Sequence, residues 1–183
     1  MKRLTATLGL ALLCACSSAK YEVNPDGSKP VLYTAAQVLK WSVVDGAHQS
    51  PSGDARIYVD QTVRFDNDVR LGNGVRIGAG SSIDEDVTLF PNVTVGENTK
   101  IGGDVIVQGD VKIGNRVSVA GDTKIGAESV VEDGATLGKW VRIGKKVRVG
   151  TGAKIGPGSV IDDGATIASS QMLPPSSRVS APK

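Results

Sequence analysis

Residues 71–101 read LGNGVRIGAGSSIDEDVTLFPNVTVGENTKI, and in this stretch an aliphatic residue returns at every sixth position. The six-residue step extends in both directions without an insertion or a deletion. The full column reads Val59, Phe65, Leu71, Ile77, Ile83, Leu89, Val95, Ile101, Val107, Ile113, Val119, Ile125, Val131, Leu137, Ile143, Val149, Ile155, Ile161 and Ile167. A fixed period of this kind is the sequence signature of a repeat architecture, so the chain predicts a solenoid. With only 4% aromatic residues, its core is expected to be thin and aliphatic.

A second column of small or β-branched residues lies four positions after the first. Its members include Val63, Val69, Val75, Ser81, Val87, Val93, Thr99, Val105, Val111, Val117, Thr123 and Ser129. Each residue of the second column also lies two positions before the next residue of the first column. The two side chains therefore share one face of a short strand. The residue between them, as in Arg64, Arg70 and Lys100, must then point outward. Each hexapeptide is therefore expected to contain one short strand with an inner and an outer side.

The remaining positions of each hexapeptide carry turn residues. Glycine often follows the aliphatic residue directly, and two positions further on the chain has Gly, Asn or Asp, as in Asp68, Gly74 and Asn92. These residue types adopt positive φ at low cost. The pattern therefore predicts a sharp corner after every strand, with three strands and three corners closing a triangular coil of eighteen residues.

The pattern resembles the hexapeptide repeat [LIV]-[GAED]-x-x-[STAV]-x of left-handed β-helix proteins. Examples are Ile77-Gly78-Ala79-Gly80-Ser81-Ser82 and Ile155-Gly156-Pro157-Gly158-Ser159-Val160. The resemblance implies an all-β fold, a left-handed parallel β-helix of about six coils over residues 57–170. Left-handed winding comes from the resemblance alone, because it runs against the usual right-handed crossover rule. The resemblance also makes a homotrimer a candidate assembly.

The repeat is absent from the two ends of the chain. Residues 16–56 are expected to form a lipid anchor, a linker and an N-terminal cap. Thr34-Ala35-Ala36-Gln37 is a capping-box sequence that predicts a short helix over residues 34–43, packed across the first coil. The rival interpretation is a small hairpin that turns at Asn24-Pro25-Asp26-Gly27. Residues 171–183, which contain Pro174 and Pro175, are expected to form a polar tail.

The N-terminus resembles the signal peptide of a bacterial lipoprotein. Lys2 and Arg3 precede an apolar run from residue 4 to residue 13, and Leu13-Cys14-Ala15-Cys16 resembles a lipobox. An apolar run of this length is too short to span a bilayer. The resemblance implies cleavage after residue 15 and lipidation of Cys16 with a diacylglycerol thioether and an N-acyl chain such as palmitate. The expected location is the cell envelope, anchored in the membrane, most simply the outer membrane facing the periplasm or the cell surface.

Net charge does not point to nucleic acid. Removing Lys2 and Arg3 with the signal peptide leaves 19 basic residues against 19 acidic ones. A chain that is neutral overall lacks the electrostatic footprint of a nucleic-acid-binding protein. Cleavage would also remove Cys14 and leave Cys16 as the lipidated residue, so the fold is expected to contain no disulfide.

The chain is poor in catalytic residue types. The acyltransferases of the resembled fold use a histidine as general base, and its γ-class carbonic anhydrases bind zinc through three histidines. Here His48 is the only histidine, in a Ser-, Pro- and Gly-rich segment expected to be a loop outside the coils. Corner carboxylates such as Asp84, Glu85 and Asp86 could be ligands for Ca²⁺, but they are more often simple turn formers. We therefore expect no catalytic residues, no metal site and no cofactor.

One cluster of basic residues stands out as a candidate binding patch. Its members are Lys139, Trp140, Arg142, Lys145, Lys146, Arg148 and Lys154. An exposed Trp beside cationic side chains could contact an anionic envelope glycan, a lipid phosphate or an acidic partner protein. The alternative is a solvated basic surface that binds nothing.

These observations favour a non-enzymatic envelope lipoprotein that acts as a rigid tethered scaffold or binding module. Two alternatives stay open. The first is an acyltransferase-like hexapeptide enzyme that uses His48. The second is a phage-encoded surface lipoprotein that modifies the envelope of its host.

Overall fold

The computed structural model describes residues 31–182 and shows an all-β fold. Its strands form three sheets, which are the three faces of a triangular prism. Successive strands along the chain lie on successive faces, and strands eighteen residues apart are parallel neighbours. The predicted left-handed parallel β-helix is confirmed. The predicted signal peptide, Cys16 and the rival hairpin at Asn24-Pro25-Asp26-Gly27 lie outside the described residues.

The first face is a sheet of eight strands. In spatial order they are β1 (Leu32–Thr34), β6 (Arg70–Gly72), β9 (Thr88–Leu89), β12 (Ile106–Val107), β15 (Lys124–Ile125), β18 (Arg142–Ile143), β21 (Val160–Ile161) and β24 (Arg178–Val179). Only β1 is antiparallel to its neighbour, so it occupies the place that a preceding coil would take.

The second face has nine strands. In spatial order they are β2 (Ser42–Val44), β3 (Ala47–Gln49), β4 (Arg56–Val59), β7 (Arg76–Ile77), β10 (Thr94–Val95), β13 (Lys112–Ile113), β16 (Val130–Val131), β19 (Arg148–Val149) and β22 (Thr166–Ile167). Strands β2, β3 and β4 pair antiparallel, and the parallel coils start at β4.

The third face has seven strands. They are β5 (Arg64–Phe65), β8 (Ser82–Ile83), β11 (Lys100–Ile101), β14 (Ser118–Val119), β17 (Thr136–Leu137), β20 (Lys154–Ile155) and β23 (Met172–Leu173). Seven parallel strands on each face make seven coils, one more than the sequence predicted.

The extra coil comes from the C-terminal segment, which we expected to be a polar tail. Leu173 and Val179 continue the aliphatic column in β23 and β24, so the six-residue register runs on through the two prolines. Pro175 occupies the corner position that Pro91 and Pro157 hold in earlier coils. Pro174 directly follows β23, which is the outermost strand of the third face within residues 31–182, so a backbone N–H there would have no described strand to donate to. Proline therefore removes no hydrogen bond that the fold needs at this position.

The core is a stack of the two predicted inner columns. Buried Leu, Ile and Val side chains from all three faces fill the prism axis, among them Leu71, Ile101, Ile125 and Leu137. The residue before each of them lies on the outside, as Lys100, Lys124 and Thr136 do. A core of this width needs only aliphatic side chains, which explains the low aromatic content.

The corners adopt the positive φ that the sequence indicated. From Asp68 to Ser176, a residue with φ between +53° and +75° recurs every six positions. Many are Gly, Asn or Asp, but Arg116, Lys146 and Trp140 occupy the same backbone conformation. The glycine that often follows the aliphatic residue is favoured for a different reason, which is the close approach of the next coil. A Cβ on Gly126 would lie 2.5 Å from the backbone of Gly144 in the next coil.

Buried hydroxyls satisfy the backbone where a valine would otherwise stand. The Thr99 hydroxyl donates to the carbonyl of Gly114 at 2.8 Å and accepts from the N–H of Val117 at 3.2 Å. Ser129 makes the equivalent pair with Gly144 and Val147. These side chains thus serve the same coil-to-coil contacts as the backbone, which is why the inner column tolerates them.

The N-terminal cap confirms the capping box but shortens the predicted helix. Helix α1 spans Ala35–Val38. The Thr34 hydroxyl accepts from the N–H of Gln37, and the Gln37 side chain accepts from the N–H of Thr34. Val38 is fully buried against the first coil. The helix ends early because residues 42–44 are recruited into β2, whose turn into β3 is made by Asp45 and Gly46 at positive φ.

We expect Thr99→Val to lower the free energy of unfolding by about 1–3 kcal/mol, because it leaves the Gly114 carbonyl and the Val117 N–H without their side-chain partner. The matched control is Thr136→Val, an exposed position on the same face, where the change should stay within about 0.5 kcal/mol. Urea unfolding followed by circular dichroism measures both. Equal stability of the two variants would contradict the role given to the buried hydroxyl.

Candidate functional site

His48 lies in a strand, whereas the sequence predicted a loop. It is the middle residue of β3, which pairs on one side with β2 and on the other with β4. The signal that could have located it is the Asp45-Gly46 pair, because Asp-Gly between two extended segments is a strong hairpin marker. The two strands on either side hold the His48 backbone firmly, so the histidine has a defined position at the N-terminal end of the prism.

The His48 side chain is directed to the inner side of the second face. Directly opposite residues in an antiparallel pair project to the same side, and His48 is opposite the fully buried Ile57. Its Nδ1 atom is buried and has no hydrogen-bond partner. Among residues 31–182 this is the one buried side-chain nitrogen or oxygen in that state. Buried polar groups are nearly always satisfied, so an exception calls for a physical or functional explanation.

A polar cluster follows His48 in the β3–β4 connection. The hydroxyls of Ser50 and Ser52 both donate to Asp54 Oδ1 at 2.6 Å, and Ser50 Oγ also accepts from the N–H of Ala55 at 3.1 Å. The hydrogen bond from Ser50, followed by that from Ser52, lowers the pKa of Asp54 below its ordinary value. This connection is therefore ordered by its own side chains.

Two aromatic rings complete the N-terminal end. Tyr33 and Trp41 make an edge-to-face contact with ring centroids 4.7 Å apart. Burial, and secondarily the negative charge of Asp54, raise the pKa of Tyr33. A surface depression of about 330 Å³ lies beside Tyr33 and Asp54. Its other lining residues are Val31, Ala55, Asn73, Pro91 and Asn92. The N-terminal end therefore combines a histidine, a tyrosine, a carboxylate and a concave surface.

The predicted basic patch is divided by the fold. All seven of its residues are exposed, but they do not share one surface. Arg142, Arg148 and Lys154 begin strands on three different faces. Lys139 and Trp140 lie on the corner that leads from the third face to the first, between β17 and β18. Lys145 and Lys146 lie on the next corner, between β18 and β19.

Two of these cations are also neutralised by neighbours. Lys146 Nζ lies 3.7 Å from Glu128 Oε2, and Arg148 forms an ion pair with Glu132. The pKa of Glu132 is lowered mainly by the hydrogen bond from the Thr151 side chain and further by Arg148. Because one flat partner cannot contact three faces at once, binding through this set as a single patch remains a prediction without geometric support.

Trp140 is the unusual member of the set. Its side chain is 61% exposed, and its φ is +59°. The backbone N–H of Trp140 donates to the carbonyl of Gly121 at 3.2 Å, as the backbone N–H groups of corner residues do throughout the β-helix. A bulky residue at positive φ is disfavoured by contact between Cβ and the backbone. The corner geometry is therefore imposed on Trp140 by the coils above and below it.

No group of three or more metal-ligating side chains occurs within residues 31–182. In the same part of the chain, no helix has the length and apolar character needed to cross a membrane.

Residues 92–127 and 128–163 each match the family described as bacterial transferase hexapeptide (six repeats). Both matched segments lie within the coils. Among curated proteins, none matches the sequence.

Solved structures of hexapeptide proteins share the fold. One is a mutant GDP-perosamine N-acetyltransferase from Caulobacter crescentus in complex with CoA and GDP-perosamine, with 18% identity and a TM-score of 0.50. The alignment covers 68% of this chain and 52% of that enzyme, so the chain spans about half its length. Another is a hexapeptide transferase family protein from Anaplasma phagocytophilum, with 20% identity, a TM-score of 0.50, and coverage of 69% of this chain and 75% of that one.

These findings correct two expectations from the sequence. We predicted a non-enzymatic scaffold and no enzyme activity, but the repeats match a family of transferases, and the structures that share the fold include an acetyltransferase. The prediction was wrong because it took a single histidine outside the coils as insufficient for catalysis. It also treated His48 as an ordinary loop residue, which the strand β3 excludes.

We expect Trp140→Asn to raise the free energy of unfolding by about 0.5–1 kcal/mol, since Asn adopts positive φ more readily than Trp. The matched control is Met172→Asn, an exposed apolar residue in a strand rather than at a corner. Thermal unfolding measures the stability of both variants. A loss of stability in Trp140→Asn would mean that the indole makes contacts that outweigh the backbone strain.

Proposed function

We propose that this protein is an acyltransferase-like hexapeptide enzyme in which His48 is the general base. The reaction would transfer an acyl group to a hydroxyl or an amine. The observation that carries the proposal is the unsatisfied, buried Nδ1 of His48 on a strand held from both sides. The match of the coils to bacterial transferase hexapeptides supports the same class of reaction.

The proposed step uses one imidazole nitrogen as a proton acceptor. The acceptor oxygen or nitrogen attacks the carbonyl carbon of an acyl ester or thioester, and its proton passes to His48. The bond between the acyl carbon and the donor then breaks, and the donor leaves as an alcohol or thiol with that proton. A positioned histidine in this role accelerates a reaction by roughly 10²–10⁴-fold.

Two further polar groups at the same end of the prism would contribute to the site. Tyr33 carries a phenolic hydroxyl on the rim of the depression, and Asp54 is the carboxylate on the same rim. The Asp54 carboxylate is engaged by Ser50 and Ser52, and its depressed pKa keeps it ionised. It would therefore contribute a fixed negative charge rather than a proton.

We also propose that the enzyme is anchored in the cell envelope through lipidated Cys16. The support is the sequence of residues 1–16, with its basic start, its short apolar run and its lipobox-like end. A diacylglycerol and an N-acyl chain together provide stable membrane attachment, which one chain alone does not. A homotrimer, the assembly implied by the resemblance to hexapeptide proteins, belongs to the same proposal, as does an envelope glycan as an acyl acceptor.

The activity is tested with glucosamine as an acceptor that offers both hydroxyls and an amine. Acetyl-CoA, p-nitrophenyl acetate and phosphatidylethanolamine serve as donors, and mass spectrometry detects acylated glucosamine. We expect His48→Gln to lower the rate by roughly 10²–10⁴-fold, because Gln retains polar atoms but cannot accept the proton. Gln49→Ala, the next residue in β3, is the matched control and should retain the rate.

Two results would contradict this assignment. One is an unchanged rate in His48→Gln, which would remove His48 from the reaction. The other is the absence of transfer by the unmodified protein with all three donors. Circular dichroism of each variant checks that β3 and the coils remain folded.

The anchor is tested separately by metabolic labelling with palmitate. We expect label in the full chain and none in Cys16→Ser, because the thioether and the N-acyl chain both depend on that residue. Cys14→Ser is the matched control and should retain the label. Labelling of Cys16→Ser would contradict the proposed anchor site.

A further inference from the structure

The exposed apolar side chains of this protein are concentrated at one end of the prism. Six large hydrophobic residues are exposed within residues 31–182, and four of them lie between residues 31 and 44. They are Val31 (64% exposed), Leu39 (51%), Val43 (63%) and Val44 (39%). The coils, which make up most of the described chain, contribute only Trp140 and Met172. We call the first four residues the apolar end.

Three different elements contribute to the apolar end. Val31 directly precedes β1, Leu39 is the C-cap of α1, and Val43 and Val44 lie in β2. Strand β1 occupies the place of a preceding coil on the first face, and β2 is the outermost strand of the second face. All four side chains therefore lie at the N-terminal end of the prism. Val43 and Val44 are consecutive in β2 and project to opposite sides of it, so the apolar end surrounds the edge of the prism, and a fluid interface that this edge enters can contact both sides.

The opposite end differs in character. The last coil ends in Ser176, Ser177 and Ser180 beside the ion pair of Arg178 and Asp162. Monomeric proteins rarely leave a group of large apolar side chains uncovered without a partner. The asymmetry between the two ends therefore calls for a partner at the N-terminal one.

The length of the chain that precedes the apolar end identifies that partner. Residues 17–30 join the proposed lipid anchor at Cys16 to Val31. Fourteen residues reach at most ~50 Å when fully extended. The apolar end is thus the part of the fold that is closest along the chain to the bilayer. A tether of this length raises the effective concentration of the two surfaces, so that a weak contact is sufficient.

We infer that the apolar end is a membrane-docking surface, which lies on the bilayer and directs the prism axis away from it. Apolar side chains at an interface insert at the boundary between headgroups and acyl chains. Lys40 and Asp45 are both exposed beside this surface, so net charge does not drive the contact. Binding should consequently persist at high salt, which screens surface charges. The inference rests on the proposed envelope anchor and does not depend on the acyl-transfer activity.

The test uses the soluble chain that starts at Ser17, without the anchor, and vesicles of phosphatidylethanolamine and phosphatidylglycerol. Co-sedimentation at low and high salt measures the partition of protein onto the vesicles. We expect partition in both conditions, and a decrease of roughly tenfold or more in the triple variant Leu39→Ser, Val43→Ser, Val44→Ser. Met172→Ser is the matched control, because Met172 is 72% exposed at the opposite end, and its partition should stay within about twofold.

A second measurement keeps the inference testable if the triple variant fails to fold. Trp41 lies in the N-terminal cap and Trp140 on a distant corner, so each can serve as the single reporter when the other is replaced by Phe. We expect brominated lipids to quench the fluorescence of Trp41 in the Trp140→Phe variant and to leave Trp140 unquenched in the Trp41→Phe variant.

Four outcomes would overturn the inference. They are no partition of the soluble chain, partition lost at high salt, preferential quenching of Trp140, and a dimer in solution that disappears in the triple variant. The last would identify a second copy of the chain as the true partner. If the protein binds vesicles but transfers no acyl group, the proposed activity is contradicted and the docking surface is retained. Unlabelled Cys16 with vesicle binding would remove the tether but not the surface.

Discussion

Each coil is held to the next by backbone hydrogen bonds between residues about eighteen positions apart. The N–H of Thr94 donates to the carbonyl of Val111, and that of Gly96 donates to the carbonyl of Ile113. The corner N–H of Asn98 donates back to Ala79 in the preceding coil. Within a strand, one added residue would turn the side chains that follow it to the wrong side. The six-residue spacing of the inner columns therefore follows from this ladder.

The same ladder explains why different residue types occupy equivalent positions of the repeat. Asp68, Arg116 and Trp140 all take positive φ because the bonds above and below fix the corner, whatever its side chain. Serine and threonine replace valine inside the prism because their hydroxyls join the coil-to-coil bonding. Side-chain identity is thus constrained at the inner columns and nearly free on the outer surface.

The N-terminal end is where the regular pattern gives way to specific chemistry. Strand β1 closes the first face there and strands β2 and β3 close the second, and His48, Tyr33 and Asp54 lie in or beside these strands. An open sheet edge invites association with other chains, so some cover is needed at this end. The segment that covers this end also contains the histidine with the unpaired nitrogen and, among residues 31–182, most of the exposed large apolar side chains. Stability, the proposed catalysis and the proposed membrane contact therefore share one small region.

The residues of the basic patch are distributed around the prism by the coil geometry. Residues six apart, such as Arg142 and Arg148, lie on different faces, whereas residues eighteen apart are neighbours. A cluster in the sequence therefore spreads around the prism instead of gathering on it. The neutralising partners confirm this geometry, since Lys146 meets Glu128 from the preceding coil.

The sequence by itself determined the repeat, the inner and outer columns, the corners and the capping box of Thr34 and Gln37. It could do so because these features depend on contacts of fixed spacing, and a period of six with turn residues leaves few alternatives. The seventh coil was missed because Pro174 and Pro175 suggested an end. Only the tertiary structure shows that a last coil needs no N–H at that position. The buried and unpaired nitrogen of His48 and the apolar end were likewise decided by tertiary structure. They arise from pairing between segments that share no period, and burial of a single ring nitrogen depends on neighbours that no local pattern encodes.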